Sequence, residues 1–328
     1  SVRFQNISTD EGLSQSFVYT IVQDQQGYMW FGTQEGLNRF DGFDFTVFVH
    51  DPNDPQSISD ETIRTMIEDR SGNLWIGTDS GGLSRYDQAT QTFTNYRHDS
   101  ADPTSIGDNR VRVIYEDRSG VLWIGTDGAG LDRFDPAAEE FFHYATNSSD
   151  PASLSNNHVW GILEDSGGII WIATEGGLNR LDSDSGSFTH YKHDPDIATS
   201  ISDDRLRVLY EDRNNVLWVG TETGGLNRFD RESGSFEHFT HNPENPASIS
   251  ANRINAIFQD DAGLLWNVTD EGLNAWNTTT RDFTRYINYP LDLYSKSHHK
   301  NTSIKQYRGG IPKFATYNTN THFTHTTP

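Results

Sequence analysis

The stretch EDRSGNLWIGTDSGGLSRYD, at residues 68–87, decides how this chain folds. It returns almost unchanged as EDRSGVLWIGTDGAGLDRFD at residues 116–135 and as EDRNNVLWVGTETGGLNRFD at residues 211–230. Its tryptophan recurs at spacings of 45, 48, 48, 47 and 48 residues, as Trp30, Trp75, Trp123, Trp171, Trp218 and Trp266. Repeats of this length with short strands predict propeller blades, and the chain has room for about seven.

Each repeat contains four short apolar runs separated by turn residues, for example at residues 111–116, 121–126, 131–134 and 141–144. Runs of this length without a helical period predict strands. Between the first two runs, Asp69 and Gly72 supply a side-chain acceptor and a positive φ for a tight hairpin. The predicted fold is all-β: a seven-bladed β-propeller of four-stranded antiparallel blades, with tryptophan and phenylalanine packed between blades.

The two ends of the chain differ from the repeats. Residues 4–7 resemble the outermost strand of later repeats but precede the first inner strand, so we expect them to complete the last blade as a clasp. Residues 1–286 hold 46 of the 47 acids, whereas residues 287–328 hold only Asp292 against five basic residues. We therefore divide the chain into blades with the clasp strand (1–286) and a second segment (287–328).

That second segment has two interpretations. It is either a divergent seventh blade, in which Gly309, Gly310 and Ile311 echo Gly81, Gly82 and Leu83 of the third-strand region, or an aberrant or disordered tail. In the first interpretation, Phe323 also echoes Phe93 of a fourth strand. The missing tryptophan tetrapeptide counts against a seventh blade, whereas the echoes favour one, so both interpretations stay open.

Composition excludes several kinds of partner. The formal charge of -22 opposes binding to nucleic acid, whose affinity depends on basic side chains that displace counterions. No apolar run approaches the roughly 20 residues of a membrane helix. The chain has no cysteine, so it has neither disulfides nor thiolate chemistry. We expect neither a cofactor nor a metal.

The repeated stretches resemble the two-component regulator propeller family, and the first repeat, WFGTQEGLNRFD at residues 30–41, is similar to that family's usual first blade. The resemblance covers about residues 1–286. It implies a periplasmic or extracytoplasmic sensor propeller of hybrid histidine kinases or diguanylate cyclases, in many members a reader of oligosaccharides. It supplies no catalytic residues. No kinase or cyclase motif occurs in the sequence, so any signalling domains are expected outside it.

One position of the inner strand varies from blade to blade, whereas its neighbours are plain core. Aligning the inner strands gives Tyr19, Arg64, Arg112, Trp160, Arg207 and Asn255. Counting through the hairpin places Arg64 opposite Gly77, whose missing side chain would leave room. We predict that these six residues bind a polar ligand at the channel mouth, arginines as bidentate donors and aromatics by stacking. The alternative is that each arginine only neutralises an acid such as Asp79, Asp127 or Glu222.

Other recurring polar residues are interpreted as scaffold. The third-strand arginines and the aspartates two residues later, such as Arg85 and Asp87, suggest an ion pair or a turn cap. His143, His190 and His238 share one outer-strand position, too far apart to bind one zinc ion, and are interpreted as solvated edge residues. Asp51, Asp99, Asp150 and Asp194 fit ordinary turns better than a calcium loop.

The sequence therefore predicts a non-catalytic sensor domain of a bacterial receptor, with an oligosaccharide or similar polar ligand, and a homodimer or its own signalling domains as partners. Two alternatives stay open. A propeller glycan lyase or hydrolase would need paired acids at one place, for which Tyr19 and His158 are the only hints of broken symmetry. A protein-interaction scaffold would use the acidic surface.

Overall fold

The chain forms seven four-stranded antiparallel sheets in a computed structural model. The backbone is described for residues 3–7, 9–278, 280–286, 301–307, 311–316 and 321–325, and side chains for 9–278 and 280–286. The innermost strands contact one another in chain order, and the last contacts the first. The ring therefore closes, as the predicted seven-bladed propeller requires.

Six blades have their strands in simple sequence order from the axis outwards. Blade 1 comprises β2 (Val18–Gln23), β3 (Met29–Thr33), β4 (Gly36–Phe40) and β5 (Phe45–Phe48). Blade 2 comprises β6 (Ile63–Glu68), β7 (Leu74–Thr78), β8 (Leu83–Asp87) and β9 (Thr92–Tyr96). Blade 3 comprises β10 (Val111–Glu116), β11 (Leu122–Thr126), β12 (Leu131–Asp135) and β13 (Glu140–Tyr144).

The next three blades repeat this order. Blade 4 comprises β14 (Val159–Glu164), β15 (Ile170–Thr174), β16 (Gly177–Leu181) and β17 (Phe188–Tyr191). Blade 5 comprises β18 (Leu206–Glu211), β19 (Leu217–Thr221), β20 (Leu226–Asp230) and β21 (Ser235–Phe239). Blade 6 comprises β22 (Ile254–Gln259), β23 (Leu265–Thr269), β24 (Gly272–Asn277) and β25 (Asp282–Tyr286). A single 3-10 turn, Thr9–Glu11, is the only helical element among the described residues.

The seventh sheet combines both ends of the chain. Its outermost strand is β1 (Arg3–Ile7), which pairs with β28 (Thr321–His325), followed inwards by β27 (Ile311–Thr316) and β26 (Asn301–Tyr307). Ile311 therefore begins a second strand and Phe323 lies in a third, each one strand further in than the sequence echo suggested, because β1 takes the fourth place. Gly309 and Gly310 lie outside the described residues, and the domain boundary after residue 286 stays a prediction.

Tryptophans of the second strands pack across the contact between consecutive blades, which we call a seam. Trp75 of blade 2, 2% exposed, lies in one cluster with Ile106, Val111, Leu122 and Phe134 of blade 3. The same arrangement recurs at the seams from blade 1 to blade 6. Burying each large ring stabilises the fold by about 3 kcal/mol. Because that burial needs two blades, a single blade lacks this stabilisation.

The hairpin aspartate does more than the sequence indicated. Asp69 Oδ1 accepts from the backbone N–H of Asn73 at 2.8 Å, and Asp69 Oδ2 accepts from Trp75 Nε1, also at 2.8 Å. The indole bond recurs in all six tryptophan repeats. One carboxylate thus closes the hairpin and fixes the ring that fills the seam. Gly72 adopts φ 86°, which the turn requires.

Candidate functional site

The two ends of the ring differ. Inner strands end at the Asp-Gly hairpins, so those hairpins and the turns between third and fourth strands form one side, the hairpin face. The inner strands begin at the other side, the mouth, beside the second-to-third strand loops and the long connections between blades. Each connection is fixed by a buried apolar residue: Ile106 is fully buried, and its carbonyl oxygen lies 2.8 Å from His98 Nδ1.

All six predicted site residues occupy a β-bulge at the mouth. In blade 2, Ile63 pairs with Thr78 and Thr65 with Gly77, so Arg64 is the extra residue between them. The register shift recurs in blades 1 to 6, where the extra residues are Tyr19, Arg64, Arg112, Trp160, Arg207 and Asn255. A bulge redirects the side chain of the extra residue. Their shared backbone position is therefore a property of the fold.

The predicted pairing of these residues with glycine was wrong by one residue. Gly77 faces Thr65, and a Cβ on Gly77 would lie 2.6 Å from Thr65 Cγ2 and 2.6 Å from Val111 Cγ1. Val111 begins the inner strand of the next blade. The glycine therefore makes room for the neighbouring blade at the seam and leaves the arginine untouched.

Each bulge residue of blades 2 to 6 contacts the acid fifteen positions later on its own blade. Arg64 Nε donates to Asp79 at 2.8 Å, Arg112 Nη2 to Asp127 at 2.6 Å and Arg207 Nη1 to Glu222 at 2.6 Å. Trp160 Nε1 donates to Glu175 at 3.2 Å and Asn255 Nδ2 to Asp270 at 3.0 Å. Each arginine therefore does pair with an acid, as the charge-neutralising interpretation expects. The hydrogen bond to that acid uses only one of the guanidinium nitrogens.

The bulge residues also contact one another across blades. The Arg64 guanidinium carbon lies 4.3 Å from the centre of the Tyr19 ring. Those of Arg112 and Arg207, from the two blades that flank blade 4, lie 5.3 and 4.8 Å from the Trp160 ring. The aromatic faces are therefore already covered by guanidinium groups, which differs from the sequence expectation that Tyr19 or Trp160 would stack on a ligand ring.

Three arginines of the mouth, Arg112, Arg207 and Arg253, have an Nε that is buried without a hydrogen-bond partner. The side chains of Arg112 and Arg207 are 19% and 21% exposed. A guanidinium has five N–H donors, so an acid that takes one or two leaves others directed elsewhere. The partly exposed guanidinium groups, rather than their buried Nε atoms, are the feature of the mouth that suits an oxygen-rich guest.

Sequence comparison of blades missed a second layer of the mouth. Arg253 bridges Glu222 at 3.3 Å and Asp270 at 3.7 Å. It immediately precedes an inner strand, as Arg110 and His158 do in their blades. The available signal was that this position also changes from blade to blade, between Phe17, Thr62, Arg110, His158, Arg205 and Arg253.

Asp127 is the most heavily bonded acid of the mouth. It lies 2.6 Å from Arg112, 3.3 Å from Arg110 and 3.1 Å from His158 Nδ1. Burial alone would raise its pKa, but the hydrogen bonds from Arg112 and His158 outweigh burial and lower the pKa of Asp127 below its usual value. The acid therefore stays ionised at neutral pH.

The other recurring polar residues are scaffold. Asp87 Oδ1 accepts from the backbone N–H groups of Ala89 and Thr90, which lowers its pKa, so the turn-cap interpretation is confirmed. Asp99 likewise closes a turn through the N–H of Ala101. Among the residues whose side chains are described, no group of three His, Cys, Asp or Glu residues is placed to hold a metal ion.

The outer-strand histidines are exposed or partly exposed, as the sequence interpretation expected, but each also contacts a connection between blades. His143 lies 2.6 Å from Asp132 and 3.0 Å from the carbonyl oxygen of Pro103. His190 and His238 contact the carbonyl oxygens of Ser153 and Ser200 at 2.8 and 2.6 Å. These rings anchor the connections between blades, a role that requires the long-range packing of loop on strand and leaves no sequence signature.

Comparisons with known proteins agree with this architecture. The "Two component regulator propeller" family matches residues 12–35, 57–80, 105–128, 153–176 and 200–223, each ending in the loop that carries the mouth acid. This chain belongs to that family. No helix within the described residues has the length and apolarity needed to cross a bilayer.

Similar proteins include signalling receptors. A 56-residue segment is 46% identical to "Histidine kinase P4" of Formosa agariphila and covers 17% of this chain and 4% of that protein. The extracellular domain of the putative hybrid two component system BT3049 from B. thetaiotaomicron is 28% identical with a TM-score of 0.85. That alignment covers 100% of this chain and 42% of the other, so the chain spans less than half the length of that relative.

A propeller enzyme shares the fold alone. Virginiamycin B lyase from Staphylococcus aureus aligns over 100% of both chains with a TM-score of 0.72, but only 16% of the residues are identical.

Proposed function

We propose that this chain is the ligand-sensing domain of a bacterial signal-transduction receptor, located outside the cytoplasm, and that it binds an oligosaccharide at the mouth without catalysing a reaction. Membership of the regulator propeller family and similarity to an extracellular receptor domain support the sensing role. The single observation that carries the ligand class is the pair of partly exposed guanidinium groups of Arg112 and Arg207, which both lie beside the Trp160 ring.

The chemistry of the mouth favours a sugar with carboxylate or clustered hydroxyl groups. Arginine presents donors in a planar fork that matches a carboxylate or a vicinal diol. Trp160 and Tyr19 hold the guanidinium groups in place and exclude water from one side of them, which strengthens the remaining hydrogen bonds. Acids of the same ring neutralise most of the positive charge and disfavour strongly anionic guests such as polyphosphates.

Signalling then requires that ligand affinity differ between two assembly states, in a homodimer or against the receptor's own output domains. Arg112 connects blades 3 and 2, because it lies 2.6 Å from Asp127 and 3.9 Å from Asp79. A ligand that takes up the free donors of Arg112 would therefore alter contacts between blades.

The test is a calorimetric titration of the purified domain with neutral and uronic-acid oligosaccharides. We expect binding without chain cleavage, weakened at least about tenfold by Arg112→Gln or Arg207→Gln, because each removes a charge-assisted hydrogen bond. The matched control is Arg133→Gln, which removes a third-strand arginine whose guanidinium lies over Phe142, away from the mouth. Equal affinity in all three variants would contradict a site at the mouth.

One observation favours an enzyme as the alternative. His158 Nδ1 lies 3.1 Å from Asp127, and the His158 side chain is 43% exposed, so the pair has the geometry of a carboxylate-oriented general base. Product formation from an oligosaccharide, lost in His158→Ala, would establish that alternative. If neither binding nor product formation is detected, the remaining alternative is the protein-interaction scaffold.

A further inference from the structure

The connection that enters each of blades 2 to 6 covers the outer edge of that blade's outermost strand. In blade 2, the backbone N–H of Phe93 donates to the carbonyl oxygen of Gln56 at 2.8 Å, and Asn95 Nδ2 donates to that of Ser57 at 2.9 Å. The backbone bond recurs in blades 3 to 6, from Phe141, Phe188, Phe236 and Phe283. The edge of each of these strands therefore has a partner within the chain.

Blade 1 lacks this cover. Each connection into blades 2 to 6 has fourteen residues between strands, for example residues 49–62, whereas β1 ends at Ile7 and β2 begins at Val18, which leaves ten. Among the described residues, the backbone N–H of Phe45 has no bond to the connection. The shorter connection still reaches the Phe45 side chain, because a Cβ on Gly12 would lie 3.5 Å from Phe45 Cδ2.

The uncovered strand is apolar and exposed. Val47 is 41% exposed, Val49 is 51% exposed, and Phe43, in the turn before the strand, is 89% exposed. Phe45 is only half-buried, whereas its counterparts in blades 2 to 6 are buried. Residues 45–49, FTVFV, contain neither a charge nor a proline. An exposed edge of this composition is a template for pairing with another strand.

The residue that binds the connection is also changed in blade 1. In the register of blade 1, Val47 holds the position that Asn95 holds in blade 2. That position is histidine in blades 3 to 5 and Arg285 in blade 6, each in contact with a carbonyl oxygen of its connection. Valine has no donor for such a contact, so this strand suits an apolar partner.

The backbone of β5 can pair with a second copy of itself. Because the N–H of Phe93 points outward in blade 2, those of the equivalent Phe45 and of Val47, two residues on, point outward in blade 1. Two copies related by a two-fold axis at Val47 then pair antiparallel. Val47 lies opposite Val47 of the other copy, and Phe45 lies opposite Val49. Both copies use the same backbone groups, so the contact is self-complementary.

Charge favours a second copy at this strand. Two copies with a formal charge of -22 repel each other in most orientations, but residues 45–49 carry no charge. In the two-fold register, Asp44 lies opposite His50 and Asp51 lies level with Phe43. Neither of these flanking acids therefore faces another acid, and two acidic chains can approach here.

We propose that β5 is a dimerisation strand: two copies of this chain pair their β5 strands about a two-fold axis at Val47 and join their first blades into one continuous sheet. The contact buries Val47 and Val49 of both copies, an area small enough for a reversible dimer. It involves none of the six bulge residues of the mouth, so it does not depend on a ligand there.

The test is sedimentation equilibrium of the intact chain without ligand, from about 1 μM to about 1 mM. We expect a monomer–dimer equilibrium that Val47→Lys weakens at least about tenfold, because the two-fold axis brings the two added charges together. Val49→Lys should weaken the dimer as well. The matched control is Phe142→Lys, which adds a charge at an exposed aromatic residue of β13 and should leave the dimer unchanged.

The absence of cysteine permits a direct test of the register. Directly opposed residues of a hydrogen-bonded antiparallel pair have Cα atoms about 5.5 Å apart, within the range that a disulfide spans. Val47→Cys should therefore form a covalent dimer under mild oxidation, whereas Phe142→Cys should stay monomeric under the same conditions.

Both lysine variants should keep the melting temperature of the unaltered chain, because the replaced side chains are exposed; this separates loss of the dimer from loss of the fold. If one variant fails to fold, the other and Val47→Cys decide. A chain that stays monomeric up to about 1 mM, a dimer that persists in both lysine variants, or equal cross-linking of the two cysteine variants overturns the proposal. None of these results bears on ligand binding at the mouth, which the calorimetric titration tests.

Discussion

Trp160 and Trp171 belong to one blade, eleven positions apart, and serve opposite ends of it. Trp171 is 1% exposed, donates to Asp165 and packs against Phe229 of the next blade, with ring centres 5.3 Å apart. Trp160 is half-buried in a bulge at the mouth, beside two guanidinium groups. The seam tryptophan is repeated in blades 1 to 6 because their seams have the same shape. The mouth residue varies because the mouth is one asymmetric surface.

The largest effect on stability should come from replacing each of these two tryptophans by alanine, one at a time. Trp171→Ala should lower the free energy of unfolding by about 3–5 kcal/mol, because it leaves a cavity in the seam. Trp160→Ala should cost only about 1 kcal/mol, the worth of its contacts with partly exposed guanidinium groups. Urea denaturation of both variants measures this. Equal losses would abolish the distinction between seam and mouth.

The next-largest loss of stability should come from Asp165→Ala. The carboxylate of Asp165 accepts from Trp171 Nε1 and from the backbone N–H groups of Gly167 and Ile169, and it pairs with Arg231. Removing it leaves several buried donors without an acceptor, so we expect a loss of about 3 kcal/mol. Asp182→Ala, which removes an exposed turn cap from the same blade, is the control and should lose much less.

Asn267 is an exception among the buried residues of the seams, and replacing it should raise the free energy of unfolding rather than lower it. It is fully buried, and neither Nδ2 nor Oδ1 has a partner, whereas Val219 holds this position in blade 5. Asn267→Val should therefore raise the free energy of unfolding by about 1–2 kcal/mol. A destabilised variant would mean that the amide has a role in the seam.

The smallest effect concerns the connection beside blade 3. The hydrogen bond with Asp132 raises the pKa of His143 above its usual value, so its stabilising contribution is full below the unfolded pKa of about 6.5 and is lost as pH rises through the folded pKa. His143→Asn copies Asn95 of blade 2 and should remove this pH dependence, worth less than about 1 kcal/mol. Melting temperatures measured across neutral pH should converge for the two proteins at the alkaline end.

The fold was predictable from the repeat because each blade packs against the next with the same residue types at equivalent positions. Tryptophan spacing, the Asp-Gly hairpins and the alternation of apolar runs are local features, and they led to the propeller. The six positions of the mouth were also found from sequence, because variation at one place in a regular repeat is visible in an alignment of blades. Their register was wrong by one residue, since a bulge adds a residue that simple counting ignores.

The sequence by itself determined the number and type of blades and the ring positions that vary, because both follow from periodicity along the chain. Only the tertiary structure decided that Arg112 and Arg207 lie against the Trp160 ring, that a seam glycine makes room for the neighbouring blade, and that Arg231 pairs with Asp165 of another blade. Such contacts join residues from different blades, far apart in sequence, and depend on how the blades are rotated about the common axis.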